Sequence, residues 1–286
     1  MKVLKSFSQG LKTTNRKWKI VIYLWLINFI FSAIMITPLY FLLRKEFSHS
    51  LMEDRLYHGF DLLWFGDLVY KYKNFYAPLL GWLLVPALFF LFLSVFLNGG
   101  LLGRIAASEE KVNFKYFLAD CSQYFFRFFR VFFISLVGYF LVFALLFKGV
   151  SILFGLWTKN ASSEWPLIYA SNIKFLIAVL LFSLVRMFFD YVRVRLVAEG
   201  SKKTIRATIL NFYFLGHRFF KAWLLYLLVG LVGVVLGLVY LGFWRYFPQI
   251  GAFLIVFFII QQLYLLSRMW TRVLFFSTEY HFFKAD

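Results

Sequence analysis

The chain has 286 residues, 62% of them hydrophobic and 15% charged, with a mean hydropathy of +0.77 and a formal net charge of +18. Soluble globular domains are about half apolar, so this composition excludes an ordinary soluble domain and predicts an integral membrane protein. Excess positive charge can signal nucleic-acid binding. Basic residues beside membrane spans already serve topology and meet anionic headgroups, so no nucleic-acid partner is expected.

The first 19 residues carry six basic side chains and no acidic ones. Val3, Leu4, Phe7, Leu11 and Trp18 fall at helical spacing against Lys2, Lys5, Lys12 and Arg16, and the segment closes on Arg16-Lys17-Trp18-Lys19. Such a helix is expected in the headgroup layer, apolar face down and basic face toward anionic lipid. An apolar run over 20–43 follows, long enough to cross the hydrocarbon core. No small-residue cleavage site follows it, so it is expected to be a retained span rather than a cleaved signal.

Residues 44–75 hold five basic and five acidic side chains, and Leu51, Leu56, Phe60, Leu63 and Trp64 suggest a further amphipathic element. His49, Glu53, Asp54, His58 and Asp61 are ligand-type residues, but their spacing matches no HExxH-type motif and no metal site is expected. The second run, 78–97, ends on Asn98-Gly99-Gly100 with Gly103-Arg104. Glycines there permit a helix stop or close backbone packing. A phosphate cradle would need a preceding strand and a GxxxxGK pattern, and the sequence has neither.

From Val112 to Arg130, apolar residues recur at Phe114, Phe117, Leu118, Cys121, Phe125 and Phe128, predicting a second basic amphipathic helix that ends on Arg127-Phe128-Phe129-Arg130. Cys121 is the single cysteine, which excludes an intramolecular disulfide. A third run covers 131–154. A fourth has an uninterrupted core of only 175–185, extended to 172–192 by its alignment with 81–101.

Asp190 closes the fourth run, with Arg186 four residues before it and Arg193 three after, spacings that share one helical face. An ionisable residue at membrane depth is a functional candidate. Asn28, Gln261 and Gln262 are expected at similar depth and would complete a polar layer. Two readings stand: a transport or channel layer, or a structural cluster in which the arginines snorkel, Asp190 offsets them and the amides bond across helices.

The third basic helix sets Ile205, Ile209, Phe212 and Phe219 against Arg206, Asn211 and Arg218, ending on Arg218-Phe219-Phe220-Lys221. Runs over 222–243 and 250–266 follow, the former with Gly233 and Gly237 at small-xxx-small spacing. His217 and His281 complete no nucleophile, base and acid set, and no cofactor motif is present. No enzyme activity is expected.

The second and third basic segments align without gaps at a shift of 91 positions, matching Arg104 with Arg195, Lys111 with Lys202 and Arg127 with Arg218. The expected architecture is all-α. Six transmembrane helices form three pseudo-repeated units (about 1–110, 111–201 and 202–286) of basic interface helix plus hairpin, within one polytopic domain. Residues 1–19, 98–130, 186–221 and 268–286 hold 22 basic and 7 acidic side chains, against 9 and 6 elsewhere. Positive charge accumulates on the cytoplasmic side, so both termini, with Lys2, Lys111, Lys202 and Lys284, are expected in the cytosol.

At Asn98-Gly99-Gly100-Leu101-Leu102-Gly103-Arg104 and Asp190-Tyr191-Val192-Arg193-Val194-Arg195, each followed by a basic helix, the chain resembles uncharacterised bacterial six-helix inner-membrane proteins. It is more distantly similar to the membrane domains attached to bacterial glycerophosphodiesterases. The resemblance implies a bacterial inner-membrane setting. The phosphodiesterase activity is not carried over by the resemblance, because no such soluble domain is expected in this sequence. The functional expectation is a non-enzymatic scaffold or accessory subunit that organises anionic lipid, a protein partner or further copies of itself. Its candidate headgroup contacts are Arg16, Lys17, Lys19, Arg127, Arg130, Arg218 and Lys221. The alternative is a small-solute transporter or channel.

Overall fold

Apolar runs of this length satisfy their backbone in a membrane as helices, and the computed structural model is all-α over the residues it describes. It describes residues 2–47, 63, 66, 70, 76–107, 112–158, 165–246 and 253–285. His49, Glu53, Asp54, His58, Asp61 and Lys111 lie outside the described residues. The order is α1 (Lys2–Arg16), α2 (Trp18–Phe47), α3 (Tyr76–Ala106), α4 (Phe114–Ala144), a π-helical segment (Leu145–Val150), α5 (Ser151–Thr158), α6 (Trp165–Ala198), α7 (Thr204–Tyr246) and α8 (Phe253–Lys284). Among the described residues six helices are long and apolar enough to cross a membrane, and the fourth apolar run is among them, within Leu167–Ala198.

The helices exceed the spans expected from hydropathy. α8 has 32 residues, about 48 Å at 1.5 Å per residue, against a hydrocarbon core of about 30 Å. The excess is at the basic ends. There the side chains pack: Met187 and Tyr191 of α6, Leu215, Ala222, Leu225 and Tyr226 of α7, and Phe282 of α8 form one buried cluster, with Val3 and Phe7 of α1 against it. Beyond it the apolar side chains turn outward, as at Phe140, Phe175, Leu231 and Ile255, which suits a lipid environment as apolar as they are.

The described residues divide into two compact units, Met1–Tyr23 with Val95–Asp286, and Leu24–Ser94. In the smaller unit Phe31 stacks on Phe89 and Phe90, at centroid distances of 5.7 and 5.3 Å. Asn28 belongs to this unit, and its Nδ2 donates to the Leu24 carbonyl at 2.6 Å.

The three basic segments differ in how they join the following span. A turn at Lys17 separates α1 from α2. The second continues without interruption through α4, because nothing between Val112 and Val131 breaks a helix. The third bends at Arg218 (φ −130°, ψ 17°), two residues after Gly216, a residue that weakens helices. Among the described residues, the first basic segment alone forms a helix separate from the span that follows it.

Docking uses a face that apolar periodicity does not mark. α1 buries Ser6, Gly10 and Thr14, one residue per turn. A Cβ on Gly10 would lie 2.8 Å from the Thr278 backbone of α8. Leu4 and Trp18 stay exposed. α7 likewise buries Thr204, Ala207, Asn211 and Leu215, leaving Ile205, Ile209 and Phe212 outward. Gly99, Gly100 and Gly103 bring α3 against α4, where a Cβ at Gly100 would meet the Phe117 carbonyl at 2.7 Å. Gly233 and Gly237 face Thr271 and Tyr264 of α8, at 3.4 and 3.6 Å from an added Cβ, so that stripe serves an internal contact.

Candidate functional site

The helical register of α6 sets Arg186, Asp190 and Arg193 on one face. Asp190 is 3% exposed. Its Oδ1 accepts from Arg193 Nη1, and its Oδ2 lies 3.8 Å from Arg186 Nε. The Arg186 guanidinium also sits over the Phe275 ring of α8, 5.9 Å from its centroid. α8 contributes two further ionic groups, seven residues apart and so on one face. Arg272 donates through Nη2 to Asn98 Oδ1 at 2.7 Å and lies within electrostatic range of Asp190. Glu279 is 1% exposed, neither carboxyl oxygen has a hydrogen-bond partner among the described residues, and Asp190, Arg186 and Arg193 act on it through space. Tyr226 of α7 borders the same cluster.

Three arginines thus act on Asp190, and two of them, Arg186 and Arg193, act on Glu279 as well. The spacing around Asp190 brings its arginines together as the sequence predicts, but within this unit α8 supplies Arg272 and Glu279 rather than Gln261 and Gln262. Gln261 and Gln262 are half-buried on α8, about 15 Å of helix beyond Arg272. They do not share the Asp190 layer, because α8 continues as helix to Lys284 and its carboxyl-terminal turns are the ones that reach α6. Sequence reasoning missed Arg272 and Glu279 by ending the sixth run at 266. The signal that marks them is an acid and a base one heptad apart amid Phe275, Phe276 and Phe282.

A second ionic chain joins α3 and α4. Arg104 pairs through Nε with Asp120 Oδ2, with its guanidinium 5.6 Å from the Tyr116 ring centroid. Lys17, expected at the headgroups, is 6% exposed. Its Nζ donates to the carbonyls of Arg104 and Ala107, the latter at 2.8 Å. The turn between α1 and α2 points Lys17 inward, where it caps the carbonyl end of α3.

Burial, reinforced by the positive charges of Arg104 and Arg16, lowers the Lys17 pKa from 10.5 to about 8. The unfolded chain then holds this proton to higher pH than the folded one. Stability is expected to rise as pH increases from about 8 toward 10.5. Thermal unfolding of wild type and Lys17→Met in one detergent across this window checks it, with the wild-type rise exceeding that of the variant.

Among the remaining candidate headgroup contacts, Arg16, Lys19, Arg130 and Lys221 are exposed and Arg127 and Arg218 half-buried. Arg127 Nη1 is 3.4 Å from the carbonyls of Gly200 and Ser201, tying α4 to the α6–α7 connection. Arg218 rides over the Phe214 ring at 5.2 Å. That connection borders a groove of about 610 Å³ with Arg130, Lys202, Lys203 and Arg206 around it.

No protein-family model, curated protein or solved structure matches this chain.

Proposed function

We propose that this chain is a non-enzymatic protein of the bacterial inner membrane, with both termini cytosolic, that organises anionic lipid or a partner complex through its basic helices. The observation that carries this reading is a division of labour among the cations of the larger unit. Lys17, Arg104, Arg193 and Arg272 are held by protein groups. Lys19 at the start of α2, Arg130 within α4, Lys202 and Lys203 just before α7, and Arg206 and Lys221 within α7 stand exposed. The outward apolar residues Ile205, Ile209 and Phe212 lie beside that charge, the combination an anionic bilayer surface attracts. The match of Arg104, Lys111 and Arg127 with Arg195, Lys202 and Arg218 supports reading the basic segments as related units.

Each exposed cation near the surface contributes about 1 kcal/mol of attraction to anionic lipid. Arg16→Gln, Lys19→Gln and Lys221→Gln combined are expected to reduce the anionic phospholipid that copurifies with the folded protein, measured by lipid extraction and mass spectrometry. Unchanged lipid content would reduce these cations to topology signals.

One observation favours a second reading. Glu279 places a carboxyl without a hydrogen-bond partner beside the Asp190 cluster, and ionisable groups of this kind line proton and solute paths. On that reading Asp190→Asn leaves the fold intact and abolishes flux in reconstituted vesicles.

A further inference from the structure

We propose that the groove at the start of α7 is a binding site for an anionic phospholipid, with its phosphate held at Thr204–Arg206 and an acyl chain lying along Ile205, Ile209 and Leu210. This deepens the lipid-organising reading and rests on it. The groove measures about 610 Å³.

Four features converge there. The first backbone hydrogen bond of α7 runs from Ala207 N to the Lys203 carbonyl, so the N–H groups of Thr204, Ile205 and Arg206 precede the intrahelical ladder and carry the positive end of the helix dipole. That arrangement suits a phosphate. Thr204 is 4% exposed, lines the groove, and its Oγ1 has no hydrogen-bond partner among the described residues. A buried hydroxyl left without a partner calls for a ligand. Lys202, Lys203 and Arg206 stand exposed around it, with Arg130 reaching the same groove from α4. The nearest acid in sequence, Glu199, is 3.6 Å from Arg195 and so has its own cation.

The apolar wall selects a lipid over free phosphate. Ile205 and Ile209 are four residues apart, present one face of α7, and remain largely exposed although they are large and aliphatic. A phosphodiester at the helix start would leave its glycerol and chain to follow this face toward the hydrocarbon. The loop is also fixed beforehand: Arg127 reaches the carbonyls of Gly200 and Ser201, and Ser201 Oγ accepts from Lys203 N at 3.3 Å.

The test uses the purified full chain in detergent, titrated with phosphatidylglycerol or phosphatidylcholine and read by native mass spectrometry as the affinity of the first bound lipid. Phosphatidylglycerol is expected to bind more tightly than phosphatidylcholine. Lys202→Gln with Lys203→Gln should weaken it about thirtyfold, and Thr204→Val about fivefold through the lost hydroxyl. Arg206→Gln, at an exposed position, provides a reading should Thr204→Val not fold. The Arg16, Lys19 and Lys221 triple variant should leave the first lipid in place. Wild-type affinity in the folded groove variants, or equal affinity for the two lipids, overturns the site. Displacement of phosphatidylglycerol by millimolar inorganic phosphate overturns the lipid assignment in favour of a free anion. Loss of the first lipid from the groove variants with normal bulk lipid content in the triple variant keeps the site while rejecting the broader reading.

Discussion

Asp190→Ala is expected to lower the stability of the folded protein by about 3–5 kcal/mol, the cost of removing one member of a buried ion pair. The carboxylate is 3% exposed, accepts from Arg193 and has Arg186 within 3.8 Å. Without it, Arg193 keeps a charge with little solvent around it, and Glu279 remains the other acid acting on Arg186 and Arg193. Removing both members changes the balance, since paired burial itself carries a desolvation cost. Arg193→Gln combined with Asp190→Ala should therefore lose less than the sum of the single variants, with a coupling of about 0.5–3 kcal/mol. Thermal unfolding of the four proteins in one detergent completes the cycle. Wild-type stability in Asp190→Ala, or additive losses, would remove the structural role and favour the transport reading.

The second large effect is expected at the glycines of α3. A Cβ at Gly100 would come within 2.7 Å of the Phe117 carbonyl, and one at Gly103 equally close to Asp120 Cβ. The Cys121 sulfur is closer still, and the Phe117 carbonyl is backbone that cannot swing aside, so α3 and α4 must separate. Gly100→Ala is expected to destabilise by about 1–3 kcal/mol, as overpacking does. Separation would also stretch the Arg104–Asp120 pair and the Lys17 contacts beside it. Gly242→Ala makes the opposite prediction, because nothing lies within 4 Å of its added Cβ. There the helix gains the propensity of alanine over glycine, about 0.8–1 kcal/mol. Opposite shifts in the unfolding midpoint from one chemical change would isolate packing as the cause, and shifts of the same sign would remove it.

What was legible in the sequence follows from the distance over which each signal is written. Hydropathy averaged over a span locates five of the six long helices and only the core of the fourth, which the alignment with 81–101 extends, and spacing within one helix places Arg186, Asp190 and Arg193 together. Contacts between helices leave weaker traces. Ser6, Gly10 and Thr14 form the docking face of α1, yet they count as neither apolar nor charged and fall silent in an amphipathic pattern. Lys17 reads as one of four clustered interface residues, Arg16-Lys17-Trp18-Lys19, because the turn that directs it inward is set by where α1 ends. Glu279 and Arg272 escape notice for a related reason. Their helix continues past the apolar run, and aromatic neighbours rather than aliphatic hydropathy keep it buried. The glycines at 99, 100 and 103 allow a helix stop or a close approach, and only the position of α4 distinguishes them.

The proposal that the exposed cations meet lipid or partners in the cytosol rests on which side of the membrane they occupy. Single cysteines at positions 2, 202 and 284 in a Cys121→Ser background address it directly, with a membrane-impermeant maleimide applied to intact spheroplasts and to opened membranes. The background is suitable because Cys121 is the single native cysteine and is buried. The account predicts that all three positions stay unlabelled until the membrane is opened and then react, placing the start of α7 and both termini on the inner side. Labelling of position 202 in intact spheroplasts would contradict it, and would remove the basic groove from the leaflet whose anionic lipid it is proposed to hold.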